Sequence, residues 1–388
     1  MHKLHRAFLR RHCGVVCPMP IRFVEQAAGL GLLTLILLDI FVTVLYARAG
    51  SGLIAPHLAR AFWRLMRRLS TASTRRREQI LSFGGPLVVV AAVAIWFVGL
   101  ALGAALVIHP ALGSGVRSSS GATPSSFIAA LFAGGSSVSI VGSGGLQPNT
   151  DTFRLFYFFT ALAGTAATSL VLTYLMQVYT ALLRRNTVAL EIDTWSGQTG
   201  DAVELLARVF REGQTSTGYN VMVQWASAMA SVKEMHHFYP VLCYFRFVDA
   251  RYSMARSALI TLEAAALIRT ALDVRQFGWV RGSAALEQLE GSTRLLLTTM
   301  SEETQVAPAG GETSEATARW GRRFSAALAR LRQAGIQVTD DVHAGTAEYV
   351  RTRAGWEGRI AGLAELLGYP PQQIDASSER NAHARPTP

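Results

Sequence analysis

From Ser136 to Pro148 the chain reads Ser-Ser-Val-Ser-Ile-Val-Gly-Ser-Gly-Gly-Leu-Gln-Pro. Glycines let successive carbonyls point the same way, which larger side chains resist. Rings of such carbonyls replace the hydration shell of a permeating cation. Irregular backbone of this kind survives at membrane depth only where it lines a water-filled path or is buried in protein. Just upstream, Thr123 followed by Pro124 and two serines reads as an N-cap with proline at the first helical position. The spacing predicts a short helix through Phe127, Ile128, Ala130, Leu131 and Phe132, ending at Gly134 and Gly135. It is too short to span a bilayer. A short re-entrant helix followed by a glycine-containing run is what a pore loop requires. A flexible extracytoplasmic loop is the plainer alternative, because Gly-x-Gly alone is weak evidence.

Other residues of chemical interest are sparser. Thr165, Ser169, Thr173 and Gln177 recur every fourth position and share one helix face. They fit the lining of a water-filled cavity, or equally the small polar residues that hold helices together in lipid. His5, His12, Cys13 and Cys17 match no zinc spacing and read as part of a basic leader. His236, His237 and Cys243 have no acidic or further Cys/His neighbours in sequence and read as packing or surface residues. The chain lacks a Gly-x-x-x-x-Gly-Lys phosphate loop, its only lysines being Lys3 and Lys233. It also lacks a nucleophile, base and orienting-group set, so no enzyme, metal or cofactor is expected.

The elements that would position these residues are membrane helices. The chain has 388 residues, 50% hydrophobic and only 16% charged, too apolar for a purely soluble protein of this length. Three stretches reach the roughly 20 residues needed to cross a bilayer: Ala27 to Tyr46, Pro86 to Ile108 and Leu155 to Leu183. The second and third contain no charge, and the first contains Asp39, which must pair with a basic-loop arginine or hydrogen-bond within the bundle. The net charge of +11 does not mark a nucleic-acid binder. Residues 1–78 hold 13 Lys or Arg against Glu25, Asp39 and Glu78, and the rest of the chain is nearly balanced. Arg48 to Arg77 therefore form a cytoplasmic loop, and Arg184 with Arg185 place the C-terminal part on the same side. Three spans then leave the N-terminus outside, so that Lys3, Arg6, Arg10 and Arg11 must cross the membrane unless translation begins at Met19 and those four charges are absent. Leu58, Phe62, Leu65 and Leu69 at helical spacing, with arginines on other faces, predict an amphipathic helix over residues 58–69 lying on anionic lipid.

Ala130 to Gly145 resembles the pore segment of potassium channels with two spans and one pore loop per subunit. The family's filter, Thr-Val-Gly-Tyr-Gly followed by Asp, falls in gap-free register on Ile140, Val141, Gly142, Ser143, Gly144 and then Gly145. Val141, Gly142 and Gly144 match, as does Pro148, and Gly164 stands where the inner helix often has a hinge. The resemblance covers about 100 residues, from the second span to the third. Tyr239 to Arg246 is also similar to the cytoplasmic domain of bacterial members. The resemblance implies a selectivity filter at Ile140 to Gly144 supported by Ser139 and Gly145, a gating hinge at Gly164, and cavity lining at Thr165, Ser169 and Thr173. It implies a homotetramer, since a closed carbonyl ring needs four copies. The sequence departs from the family where Ile140 replaces a hydroxyl ligand and where Ser143 and Gly145 replace the Tyr and Asp that brace the filter. Cation permeation is therefore better supported than potassium selectivity.

The expectation is an all-α membrane protein: a leader over 1–25, a peripheral span over 26–47, a basic amphipathic linker over 48–82, a pore domain over 83–185, a helical cytoplasmic domain over 186–370 and a disordered tail over 371–388. In the cytoplasmic part, Asp201 to Arg211, Ser253 to Asp273, Ser283 to Met300, Ala316 to Ala334 and Glu357 to Leu367 show helical periodicity. A nucleotide-binding domain is not indicated, for no Gly-x-Gly-x-x-Gly follows a strand. The expected function is a tetrameric cation channel of the bacterial inner membrane. The rival is a non-conducting signalling or scaffold protein that keeps the pore fold after its filter has decayed.

Overall fold

The computed structural model of the protein describes residues 19–46, 52–70, 74–139, 145–309 and 313–375. In chain order the helices are α1 (Met19–Val44), α2 (Ala55–Leu69), α3 (Thr74–Ser82), α4 (Gly84–Ile108), α5 (Phe127–Val138), α6 (Asp151–Trp195), α7 (Ala202–Val209), α8 (Thr215–Phe238), α9 (Met254–Ala271), α10 (Val274–Arg281), α11 (Ala284–Thr304), α12 (Ser314–Gln333), α13 (Val342–Leu367) and α14 (Pro371–Ile374). Two three-residue strands, β1 (Val116–Ser118) and β2 (Leu146–Pro148), pair antiparallel. The described residues are mostly helical, at 80%, and among them three helices are long and apolar enough to cross a membrane. At 1.5 Å per residue, the 45 residues of α6 extend for about 68 Å, roughly twice a bilayer's hydrocarbon thickness.

The described residues of Met1–Tyr46 and Val90–Leu175 form one compact unit, and those of Ala47–Val89 and Met176–Pro388 form another. In the first unit, α1 packs on α4 through small residues. A Cβ on Gly29 would lie 2.7 Å from the Gly103 carbonyl oxygen, and one on Gly99 would lie 2.8 Å from Ile36. Lipid offers helices no hydrophobic drive to associate, so close backbone approach and van der Waals contact hold this seam. Asp39 is fully buried there and accepts a 2.7 Å bond from Trp96 Nε1, which realises the within-bundle alternative for this carboxylate.

The second unit is a helical domain around one large apolar core. Helix α9 is its centre, buried along nearly its whole length, with α7, α11 and α13 packed about it and α8 laid against α11. Asp201, Asp273, Ser283 and Thr313 cap α7, α10, α11 and α12 by accepting backbone N–H bonds. The buried Glu263 carboxylate takes bonds from Arg323, at 2.8 Å, and from Arg353 and Tyr349. Burial is the strongest single influence against the charge of Arg323 and Arg353, but Glu263 together with Asp375 and Tyr349, and Glu357 for Arg353, more than offsets it, and both guanidiniums are held above their ordinary range.

One face of α2 packs on protein: Trp63, 1% exposed, donates to the Leu366 carbonyl at 3.2 Å, and Ala59, Trp63 and Leu81 join the core. Gly84 permits this, since a Cβ there would stand 2.3 Å from the Trp63 ring. Another face is exposed and carries Leu65 and Leu69, two of the apolar residues expected to meet lipid, beside Arg64 and Arg68. The tail expected to be disordered from 371 begins with α14, and Asp375 binds Arg323 at 2.5 Å and Arg353 at 3.3 Å.

Candidate functional site

Helix α5 begins later and ends later than its sequence signals imply. Ser126 caps it, being extended and accepting from the Ala129 N–H at 3.3 Å, whereas the Thr123 hydroxyl accepts from Ser118 N at 3.1 Å. Pro124 lies ahead of the helix, and the hydroxyl nearest the first apolar turn takes the capping position. At the other end the helix runs through Gly134 and Gly135 to Val138. Gly134 is a contact residue rather than a stop: a Cβ there would lie 2.6 Å from Ala105 N and 2.8 Å from the Ala101 oxygen, so α5 rests directly on the backbone of α4.

Ser139 closes the helix with its N–H on the Gly135 carbonyl at 3.0 Å and its hydroxyl on Ser136 O at 3.3 Å. Ile140, Val141, Gly142, Ser143 and Gly144 lie outside the described residues. The chain is described again from Gly145, whose φ of +87° is a conformation that L side chains resist. Its carbonyl accepts both Ser119 N, at 2.8 Å, and Ser119 Oγ, at 3.1 Å. This supplies a local reason for glycine at a position where the resembled family carries Asp. From there β2 pairs with β1, Ser118 opposite Leu146 and Val116 opposite Pro148, and Asn149 N continues the ladder onto Gly115 O at 2.8 Å.

The ribbon ties the stretch before α5 to the stretch after residues 140–144. Ala105, Ile108, Val116, Ala130, Ala133 and Leu146 form a buried cluster beneath it, with Phe153, Phe156 and Tyr157 of α6 against its side. The ribbon had no readable signal, because three residues per strand are too few for an alternation to appear. The negative end of the α5 dipole falls at Val138–Ser139, just ahead of residue 140.

Gly164 meets that same end. A Cβ on it would be 1.8 Å from the Val138 carbonyl oxygen and 2.9 Å from Val138 Cγ1. The proposed hinge glycine is therefore also a contact that lets α6 touch the last turn of α5. Thr165, Ser169, Thr173 and Gln177 are all exposed in the single chain. Thr165 and Thr173 return their hydroxyls to α6, on Ala161 O and Ser169 O, both at 2.9 Å. Around them Phe158, Phe159, Leu162, Leu172 and Met176 are exposed, an apolar surface that calls for lipid or further copies of the chain.

The other candidates stay apart from this site. His5, His12, Cys13 and Cys17 lie outside the described residues. His236 is buried with Nδ1 2.8 Å from Val232 O, and burial, helped by the charge of Arg185, pushes its pKa down to about 3. Burial pushes the Cys243 thiol up to about 12, which leaves it unreactive. No group of three or more His, Cys, Asp or Glu suited to a metal occurs among the described residues. Tyr244 and Phe245 are core residues. Arg185 donates to the Leu242 and Phe245 carbonyls, each at 3.0 Å.

No family model and no solved structure matches the chain. It is similar to the uncharacterized membrane protein YdjJ of Bacillus subtilis, 22% identical over 251 residues that make up 65% of this chain and 69% of that protein. That relative and the three apolar helices together make this chain a membrane protein by its likeness and its composition.

Proposed function

We propose that the chain is one subunit of a four-copy pore that passes monovalent cations, potassium among them, across a bacterial inner membrane. The observation that carries this reading is the capped 12-residue helix α5, ending at Ser139 directly ahead of the Ile140–Gly144 run, with the β1–β2 ribbon fastening the flanks of the loop. Backbone carbonyls of residues 140–144 would coordinate the dehydrated ion, Ser139 and Gly145 would anchor the run, and the polar α6 face at Thr165, Ser169 and Thr173 would line the path below. The exposed apolar surface of α6 supports contact with lipid and with neighbouring copies. The basic residues preceding α4 and following the span in α6 support a cytoplasmic side for the helical domain. Reconstitution in liposomes with comparison of potassium, sodium and a larger cation tests the reading.

A second reading, a non-conducting signalling or scaffold protein with a pore-like fold, is favoured by Ile140, Ser143 and Gly145, which remove a hydroxyl ligand and two bracing side chains. Under it, purified protein assembles but passes no ion, and substitutions in 140–144 leave its cellular role intact.

A further inference from the structure

Helix α1, the peripheral span, is tied to the pore segment through a protonatable pair. His109 lies in the short 3-10 turn after α4, and its Nδ1 sits 2.7 Å from Glu25 Oε1 on α1. One residue along, Gln26 Nε2 donates to the Val107 carbonyl at 3.3 Å, so two adjacent α1 residues grip the end of α4. The other side of the imidazole meets Phe127, the first residue of α5, edge to face at 5.5 Å between centroids. The His109 turn packs against both α1 and α5. The imidazole thus stands between the peripheral helix and the start of the helix that aims at residues 140–144.

Among the neighbouring elements the charged partners are few. Helix α5 has no titratable side chain, and α1 offers Glu25, with Arg22 one turn away and exposed. Arg117 of β1 is exposed and spends its Nε on Gly113 O at 3.1 Å. The His109 and Glu25 side chains lie at the ends of their spans and are only partly covered by protein, 31% and 25% exposed. A carboxylate only accepts, so Nδ1–H donates in both charge states of the ring. Protonation at Nε2 places a full charge on the ring opposite the carboxylate and turns that bond into an ion pair. Histidine ordinarily titrates between about pH 5 and 8.

Resting on the pore reading above, we propose that protonation of His109 tightens the link between α1, the end of α4 and the first turn of α5. Proton concentration on that side of the membrane then sets how firmly the pore helix is seated. Hydrogen exchange of the full-length protein in lipid nanodiscs, followed over residues 125–133 and corrected for intrinsic rates, tests this at pH 6 and pH 8. The expected opening of that stretch is about two- to fivefold less frequent at pH 6, the range of a partly exposed ion pair. The difference disappears in both Glu25→Gln and His109→Gln. No pH difference in the wild type, or an undiminished one in either variant, overturns the proposal.

Cation flux in liposomes at the same two pH values, set on the side facing His109, gives the second arm. A flux change that both variants remove supports control of the pore, and a flux indifferent to pH while exchange responds overturns that control. Absence of flux at every pH with the exchange effect intact defeats the pore reading and not the link.

Discussion

Replacing Gly164 with Ala separates two roles that sequence resemblance cannot. If Gly164 serves α6 only as a flexible point, alanine stabilises the helix by up to about 1 kcal/mol, the difference in helix propensity. If it serves as the contact seen here, the new Cβ begins 1.8 Å from the Val138 carbonyl oxygen and 2.8 Å from its carbon. Real Cβ contacts do not fall below 3.0 Å, so the last turn of α5 and the middle of α6 must part by at least about 1.2 Å. Overpacking of this kind typically costs about 1–3 kcal/mol, and here the obstacle is backbone, which cannot swing aside as a side chain can. The contact therefore outweighs the propensity gain, and the net effect is destabilising. Gly135→Ala is the matched control, since its Cβ would find only Ala101 Cβ at 3.8 Å and keeps the propensity benefit. Apparent melting temperatures of the purified full-length protein in one detergent would rank Gly135→Ala at or above wild type and Gly164→Ala below it. A Gly164→Ala melting temperature equal to or above wild type refutes the argument.

Further outcomes follow from other contacts. Gly145→Ala must hold an L residue at φ +87° and should lower stability by about 1–2 kcal/mol, read by the same melting assay; an unchanged value would mean that the loop re-forms without the Ser119 bonds. Trp96→Phe removes the 2.7 Å bond to buried Asp39 and should cost about 1–3 kcal/mol, while adding Asp39→Asn to it should recover part of that loss. Glu263→Gln strips the charge that Arg323 and Arg353 share and should cost about 3–5 kcal/mol in unfolding of the full chain. His236 is neutral when folded, with its pKa at about 3, but in the unfolded chain it takes up a proton below about pH 6.5. Acid therefore favours unfolding, by up to about 1.4 kcal/mol per pH unit between those values. That part of the pH slope should vanish in His236→Gln.

The three spans and the short helix between the last two were legible because hydropathy and length are properties of single segments. Their ends were less so. Thr123 and Ser126 are both good caps, and which hydroxyl serves α5 depends on β1, whose Ser118 N–H claims Thr123. Gly134 reads as a stop in one dimension, yet it is the surface on which α5 meets α4. Helix α8 went unread because its start, Thr-Ser-Thr-Gly, resembles a loop, although Val221, Trp225, Met229 and Val232 recur at helical spacing on its buried face. The α2 face that packs on the core, Ala59, Trp63 and Met66, is not the predicted Leu58, Phe62, Leu65 and Leu69, and its contact at Leu366 depends on the glycine at 84, which admits the indole. The burial of the arginines at 185, 246 and 353 has no sequence signal, since their partners are carbonyls and carboxylates 4 to 168 residues away.

Ion flux through purified protein in liposomes, compared for potassium, sodium and a larger organic cation, tests the central reading most directly, with Gly142→Asp as the paired variant. The account predicts flux of the small monovalent cations that excludes the larger ion and is lost or sharply altered in Gly142→Asp. Flux that Gly142→Asp leaves unchanged, or no flux from well-folded protein on either side of neutral pH, contradicts it.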